Sequence, residues 1–271
     1  MLVLNKKSGL VRLSDAVKTG LGTCSDTSAE VLQCFSKDES LYRAAEKIFD
    51  EALGGRVDLK EAHSKIRSTL RPIGDPGHLA YLQTKLHNQA LPTVLTCCFI
   101  LESYINTLAS SSLPERALEA FNRISRTLDK WSAFAKVNHG VGFDRSQSPF
   151  QDFKILFRFR DDCVHDKLIE LSNDRQRDRY NGRLPDPVTG HLDLNHVIWA
   201  ADVYWRMVQE LHRITAIPTS TFHRHYNLAP WFNDDRKRAL LRQAAEYRKR
   251  LEGRLWSASF ISTVDQVEFT K

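Results

Sequence analysis

The stretch Thr93-Val-Leu-Thr-Cys-Cys-Phe-Ile-Leu-Glu-Ser-Tyr-Ile-Asn-Thr-Leu108 is apolar over most of a helix's circumference. A surface helix carries one apolar stripe and a polar back, so this segment reads as a buried, central helix. It closes a longer apolar run from His78, which Pro92 interrupts, predicting either a kink or two consecutive helices. Upstream, Lys37–Leu53 spaces Leu41, Ala44, Ala45, Ile48, Phe49 and Ala52 by three and four and ends at Gly54-Gly55. A second helix is predicted over Leu59–Leu70, before Pro72, and Ile73-Gly-Asp-Pro-Gly77 is a break.

Downstream, Pro114 opens a helix predicted to reach about Lys136, and His139-Gly140 ends it. The aperiodic stretch Asn138–Ser148 reads as a loop. Ser148-Pro149-Phe150-Gln151 is a helix start, with Ser148 as cap, Pro149 in the first turn and Gln151 bonding back to the cap. That helix is predicted to run to about Lys167, followed by a polar, exposed segment from Asn173 to Gly190. Asp193–Thr215 and Asp234–Leu255 are amphipathic, the latter basic, and Phe260–Phe269 suits one short strand. The expectation is an all-α protein with a central four- to five-helix bundle over residues 91–217. Residues 1–90 supply additional N-terminal helices, and residues 218–271 a basic helical extension.

Composition bounds the function classes. The 271 residues are 42% hydrophobic and 27% charged, with 12 Gly and 9 Pro, which argues against disordered, collagen-like or turn-dense all-β chains. The five Cys form no Cys-x-x-Cys, so a disulfide framework is not expected and a reducing compartment fits better. Cys97 and Cys98 read as small core residues. No signal-peptide core is evident, and no apolar run approaches the ~20 residues of a membrane span. These points predict a cytoplasmic protein with no membrane partner. The net charge is +6, and Tyr204–Arg254 holds eleven Lys/Arg against five Asp/Glu, so the rest of the chain sums to zero. The basicity is local, not a general polyanion signal.

Chemistry concentrates in Phe157-Arg-Phe-Arg-Asp-Asp-Cys-Val-His-Asp-Lys167. Arg160 and His165 are offset by about 140° around a helix, so they share a cleft only if it is wide or the last turn unwinds. Asp161 lies four residues before His165, on one face, where it could orient the imidazole. Arg158 and Lys167 add positive charge for RNA. An Arg fork that grips phosphate oxygens and a His that moves a proton near neutrality suit phosphodiester chemistry without metal. The competing reading is a helix end with cations meeting the dipole and surface ion pairs.

Arg160-Asp-Asp-Cys-Val-His165 resembles the Arg-x4–6-His motif of the HEPN superfamily, helical bundles often linked to RNA cleavage. Phe99-Ile-Leu-Glu-Ser-Tyr-Ile-Asn106 is similar to its buried helix with a Leu-Glu and a later Asn. Asp129-Lys-Trp131 looks like the end of its next helix, and His196–Ile214 like its closing helix. The resemblance spans about Thr93–Thr215. Many relatives carry Asn directly after the Arg, where this chain has Asp161 and then Asp162. Two acids there need neutralising by His165, Arg158 and Arg160.

The resemblance implies a homodimer with the two motifs facing. Arg160 would bind phosphate and offset transition-state charge, and His165 would assist 2′-OH attack or protonate the leaving 5′-oxygen. The implied activity is a metal-independent endoribonuclease, of toxin or antiviral defence type, leaving 2′,3′-cyclic phosphate and 5′-OH ends. Its partners would be RNA and an antitoxin or regulatory protein. The alternative is a catalytically silent HEPN-like binding module, and from physics alone a helical scaffold.

No cofactor is expected, since no Gly-rich phosphate loop and no Gly-x-Ser-x-Gly occurs. No metal site is expected either: His223-Arg-His225 lacks completing ligands at usual spacing. Cys163 reads as a packed thiol, and Trp131, Trp199, Trp205 and Tyr204 as core positions. His191 and His196 flank a helix start and suit capping or surface roles. Arg236, Lys237 and Arg238 are either a solvated helix face or an RNA-binding surface.

Overall fold

The computed structural model of the chain describes residues 2–54, 58–70, 76–164, 179–186, 190–216 and 233–266. Its elements are α1 (Leu2–Leu53), α2 (Leu59–Leu70), α3 (Pro76–Ser112), α4 (Glu115–Asn122), α5 (Thr127–His139), α6 (Phe150–Val164), α7 (Leu194–Thr215) and α8 (Asp234–Gln266). The described residues contain no strand, so the protein is all-α.

Several boundaries depart from expectation. α1 is one helix of 52 residues that includes Lys37–Leu53. α3 continues through Pro92, which therefore does not split it. The helix expected from Pro114 to Lys136 breaks between Asn122 and Thr127. Phe121 and Trp131 are both buried. Arg123 closes α4, and Gly140, at φ +68°, closes α5 with its N–H on the Lys136 carbonyl. The strand expected over Phe260–Phe269 is instead helical up to Gln266; the remaining residues lie outside the description.

The start of α6 also differs. Ser148–Pro149 is a cis peptide and the helix begins at Phe150. Ser148 Oγ donates to Asp152 at 2.8 Å, and the Gln151 amide donates to the Arg145 carbonyl, so neither makes the expected reciprocal cap. The segment expected to be wholly exposed between Asn173 and Gly190 buries Tyr180 and Leu184.

The chain divides into two compact units, residues 1–24 with 87–241 and residues 25–86 with 242–271. α1, α3 and α8 each contribute residues to both. In the first unit, α5, α6 and α7 each reach α3. The Trp131 indole of α5 donates to the Leu101 carbonyl at 3.3 Å, and Cys98 of α3 reaches the Leu156 carbonyl of α6 at 3.8 Å. Tyr104 of α3 meets His212 of α7, oxygen to nitrogen 2.5 Å. α7 packs on both α5 and α6. An aromatic chain fills the space between α5 and α6: Trp131, Phe143, Phe150, Phe153 and Phe157, with neighbouring ring centroids 4.7–6.1 Å apart.

α1 approaches α3 where Gly20 meets Thr93: a Cβ at residue 20 would stand 2.1 Å from Thr93 Oγ1. Glycine is the residue that permits this distance. Cys24, Cys97 and Cys98 are buried, and burial pushes the Cys24 and Cys97 thiols up to about 12. These are inert core sulfurs. His78–Ser112 of α3 is long and apolar enough by length and composition to cross a membrane. More than half of its most apolar stretch is buried in the structure.

In the second unit, Ala45, Ile48 and Phe49 of α1 cluster with Ile66 of α2. Gln243 of α8 bonds Ser25 twice, at 2.8 and 2.6 Å, and Tyr247 packs its ring 6.2 Å from Phe35. Arg250 bridges Glu39 and Glu246.

Candidate active site

α6 is the helix that carries the expected chemistry. Its inward face is Phe153, Leu156, Phe157 and Phe159, which fixes the helix rotation and turns Arg160 toward α3. Arg160 is 18% exposed at its side chain. One terminal nitrogen lies 3.4 Å from Glu102 of α3 and the other 3.4 Å from Asp161. The guanidinium carbon stands 5.1 Å above the Phe157 ring. Arg160 Nε is buried and has no hydrogen-bond partner among the described residues.

These are loose contacts. Charge-assisted N–H···O bonds run near 2.7–2.9 Å, so at 3.4 Å both carboxylates hold the guanidinium mostly by field. Buried polar atoms in native structures are nearly all paired, so the unpaired Nε is an exception, shared among the described residues with atoms of Ser14, Ser28, Gln89 and Asn138. Asp161 is half exposed and lies against Arg160. His165 and Lys167 lie outside the described residues, so the expected Asp161–His165 pairing lies outside them too.

Asp162 behaves differently from Asp161. Its side chain is 8% exposed and takes two bonds from Arg179, at 2.6 and 2.9 Å, plus the Tyr180 hydroxyl at 2.6 Å. The Tyr180 phenol is pushed up by burial and by the Asp162 bond, so it stays a donor. Arg158 reaches the Arg179 carbonyl at 3.1 Å. Arg158 and Asp162 thus join in fixing residues 179–180, and the neutralising cation for Asp162 is Arg179, which sequence reasoning missed. Sixteen residues separate the two, and no periodicity links them. The available signal was the pair of adjacent acids, which call for a cation from elsewhere. Cys163 is partly buried and its thiol is pushed up to about 11, first by burial and then by Asp162, which disfavours the thiolate.

Other quoted segments meet as well. Asn106 of α3 accepts from Lys130 of α5 at 3.0 Å, and Lys130 lies 5.5 Å over the Phe121 ring. His196 takes the Asp193 N–H while Asp193 accepts from the His196 N–H, a complete capping box at the start of α7. Trp131 and Tyr204 are core, and Trp199 and Trp205 are half-buried. His87 of α3 accepts the Leu192 N–H at Nδ1, 3.0 Å, with the His191 ring 5.6 Å away. Burial and then His191 hold the His87 imidazole below its ordinary value.

The basic triplet at the start of α8 is divided. Lys237 pairs with Asp202 of α7, a carboxylate shared with Arg206, which also holds Asp152 of α6 at 2.9 Å. Arg238 bonds Asp235 at 2.9 Å on its own helix, and the Arg236 N–H is capped by Asn233. Lys237 therefore ties α8 to α7, while Arg236 and Arg238 stand on the exposed side. No group of three His, Cys, Asp or Glu among the described residues is arranged to hold a metal, and His223 and His225 lie outside the description.

Comparisons of the chain with protein-family models, curated proteins and solved structures find no match. The reading of the site therefore rests on its own geometry.

Proposed function

We propose that the first unit is a metal-independent endoribonuclease module of HEPN type, in a chain of toxin or defence character. The observation that carries the reading is Arg160 itself: sheltered, seated on Phe157, loosely flanked by Glu102 and Asp161, with an unfilled Nε. An arginine kept only for folding would close short bonds on its partners, as Arg179 does. An arginine with donors in reserve suits an incoming phosphodiester.

In this proposal Arg160 binds the scissile phosphate and offsets the charge that builds on its oxygens. His165, five residues on, takes the 2′-OH proton or returns one to the 5′-oxygen. The O2′–P bond forms as the P–O5′ bond breaks, giving a 2′,3′-cyclic phosphate and a 5′-OH. Two facing motifs in a homodimer would answer the angular offset between Arg160 and His165, since each protomer can supply part of one cleft.

The second reading is a silent HEPN-like module that binds RNA or a protein. What favours it is the presence of two carboxylates at Arg160, whose field a phosphate must overcome. The deciding experiment incubates purified protein with structured and unstructured RNA in EDTA, beside Arg160→Ala and His165→Ala. Cleavage by the wild type alone, with cyclic-phosphate ends, supports the nuclease. Cleavage surviving both substitutions removes the site, and RNA binding without cleavage supports the silent module.

A further inference from the structure

We propose that Asp162, with Arg179 and Tyr180, is a positioning residue for Arg160: this clamp holds residues 158–162 of α6 in helical register, and that register keeps the guanidinium on Glu102 and Phe157. The catalytic consequence rests on the ribonuclease reading; the structural part does not.

Residues 161–164 of α6 carry two adjacent carboxylates, Asp161 and Asp162, and no basic residue. Adjacent like charges repel, so this part of the helix needs a cation from elsewhere, and Arg160 directly precedes the two acids.

The clamp reverses that balance. Asp162 is nearly sealed from water and accepts three short bonds, two from Arg179 and one from Tyr180. Tyr180 is buried with its ring 5.6 Å from Phe159, edge to face. Arg158 donates to the Arg179 carbonyl one turn earlier. The gripped positions 158, 159 and 162 fall within about 100° of helix surface, and Arg160 projects from the opposite side. Unwinding by part of a turn would release the grip and swing Arg160 off Glu102 together. Asp162 is thus neutralised for folding and removed from the charge that RNA would meet.

The test compares Asp162→Asn and Arg179→Met with the wild type by two readouts. The first is the NMR signal of the Arg160 Nε–H, with amide exchange over residues 161–164. The proposal expects the side-chain signal to shift or broaden and the amides to exchange at least about tenfold faster. The second is RNA cleavage, where kcat falls about tenfold and Arg179→Lys restores part of it. An unmoved Arg160 signal with unchanged exchange overturns the clamp. If a variant fails to fold, Tyr180→Phe removes one bond only and must move the same signal in the same direction; an unmoved signal there overturns the clamp equally. A wild type that cleaves no RNA would defeat the ribonuclease reading and leave the NMR readout to decide the clamp.

Discussion

Arg160 and Arg179 each meet a carboxylate of α6, the adjacent Asp161 and Asp162, and the two are held differently. Arg179 closes on Asp162 at 2.6 and 2.9 Å, with Tyr180 completing the shell. Arg160 lies 3.4 Å from Glu102 and from Asp161, rests on an aromatic face, and leaves a buried nitrogen unpaired. Saturation marks an arginine whose use is completed by folding. A sheltered arginine with spare donors has capacity for a further anion. The cluster of Lys237, Asp202, Arg206 and Asp152 belongs with the first kind.

The largest separation of the two should be in activity. Arg160→Ala is expected to lower RNA cleavage by about a hundredfold or more with little change in melting temperature, measured on a labelled RNA in EDTA. Equal loss of folding and activity would erase the distinction. Stability should show the reverse order. Asp162→Ala leaves Arg179 partly buried without its carboxylate and is expected to cost about 3 kcal/mol in urea unfolding. Glu102→Gln, at a partly exposed and loose contact, should cost less than about 1 kcal/mol. If Glu102→Gln proves the costlier, the comparison is inverted.

A smaller effect should appear with pH, away from both arginines. His87 must be neutral at Nδ1 to accept the Leu192 N–H, and its folded-state value is lowered by burial and by His191. The folded state therefore binds this proton less readily than the unfolded state. Its contribution is fully present above the unfolded value of about 6.5 and is lost as pH falls through the lower folded value. His87→Gln should flatten the slope of stability against pH in that window. An unchanged slope would dissociate the tether from His87. Smallest of all, Arg236→Gln with Arg238→Gln should weaken RNA binding and flatten its salt dependence, while Lys237→Gln should act mainly on stability.

What the sequence revealed followed helical periodicity. The stripe Val197, Ala200, Ala201, Tyr204, Val208 and Leu211 lies buried on α7, and Gly140 stops α5 where a left-handed residue is required. Helix type was legible because burial of a 3.6-residue period leaves a local mark. Pairings across the chain left none. Nothing near Asp162 announces Arg179, and Lys237 looks like any lysine of a basic helix until Asp202 stands beside it. The break between α4 and α5 likewise has no glycine or proline to announce it. The motif was legible as residue types at a spacing. The looseness of Arg160 was not, because distance is not written in spacing.

The discontinuous composition of the two units sets an order of completion during synthesis. Residues 25–86 leave the ribosome early, yet Ser25 waits for Gln243 and Phe35 for Tyr247. The described parts of the unit that holds Arg160, Glu102 and Asp162 are all present once Leu241 has emerged. The candidate site can therefore assemble before its neighbour is finished. A chain cut after Leu241 would retain the site's residues and deprive the second unit of Gln243, Tyr247 and Arg250.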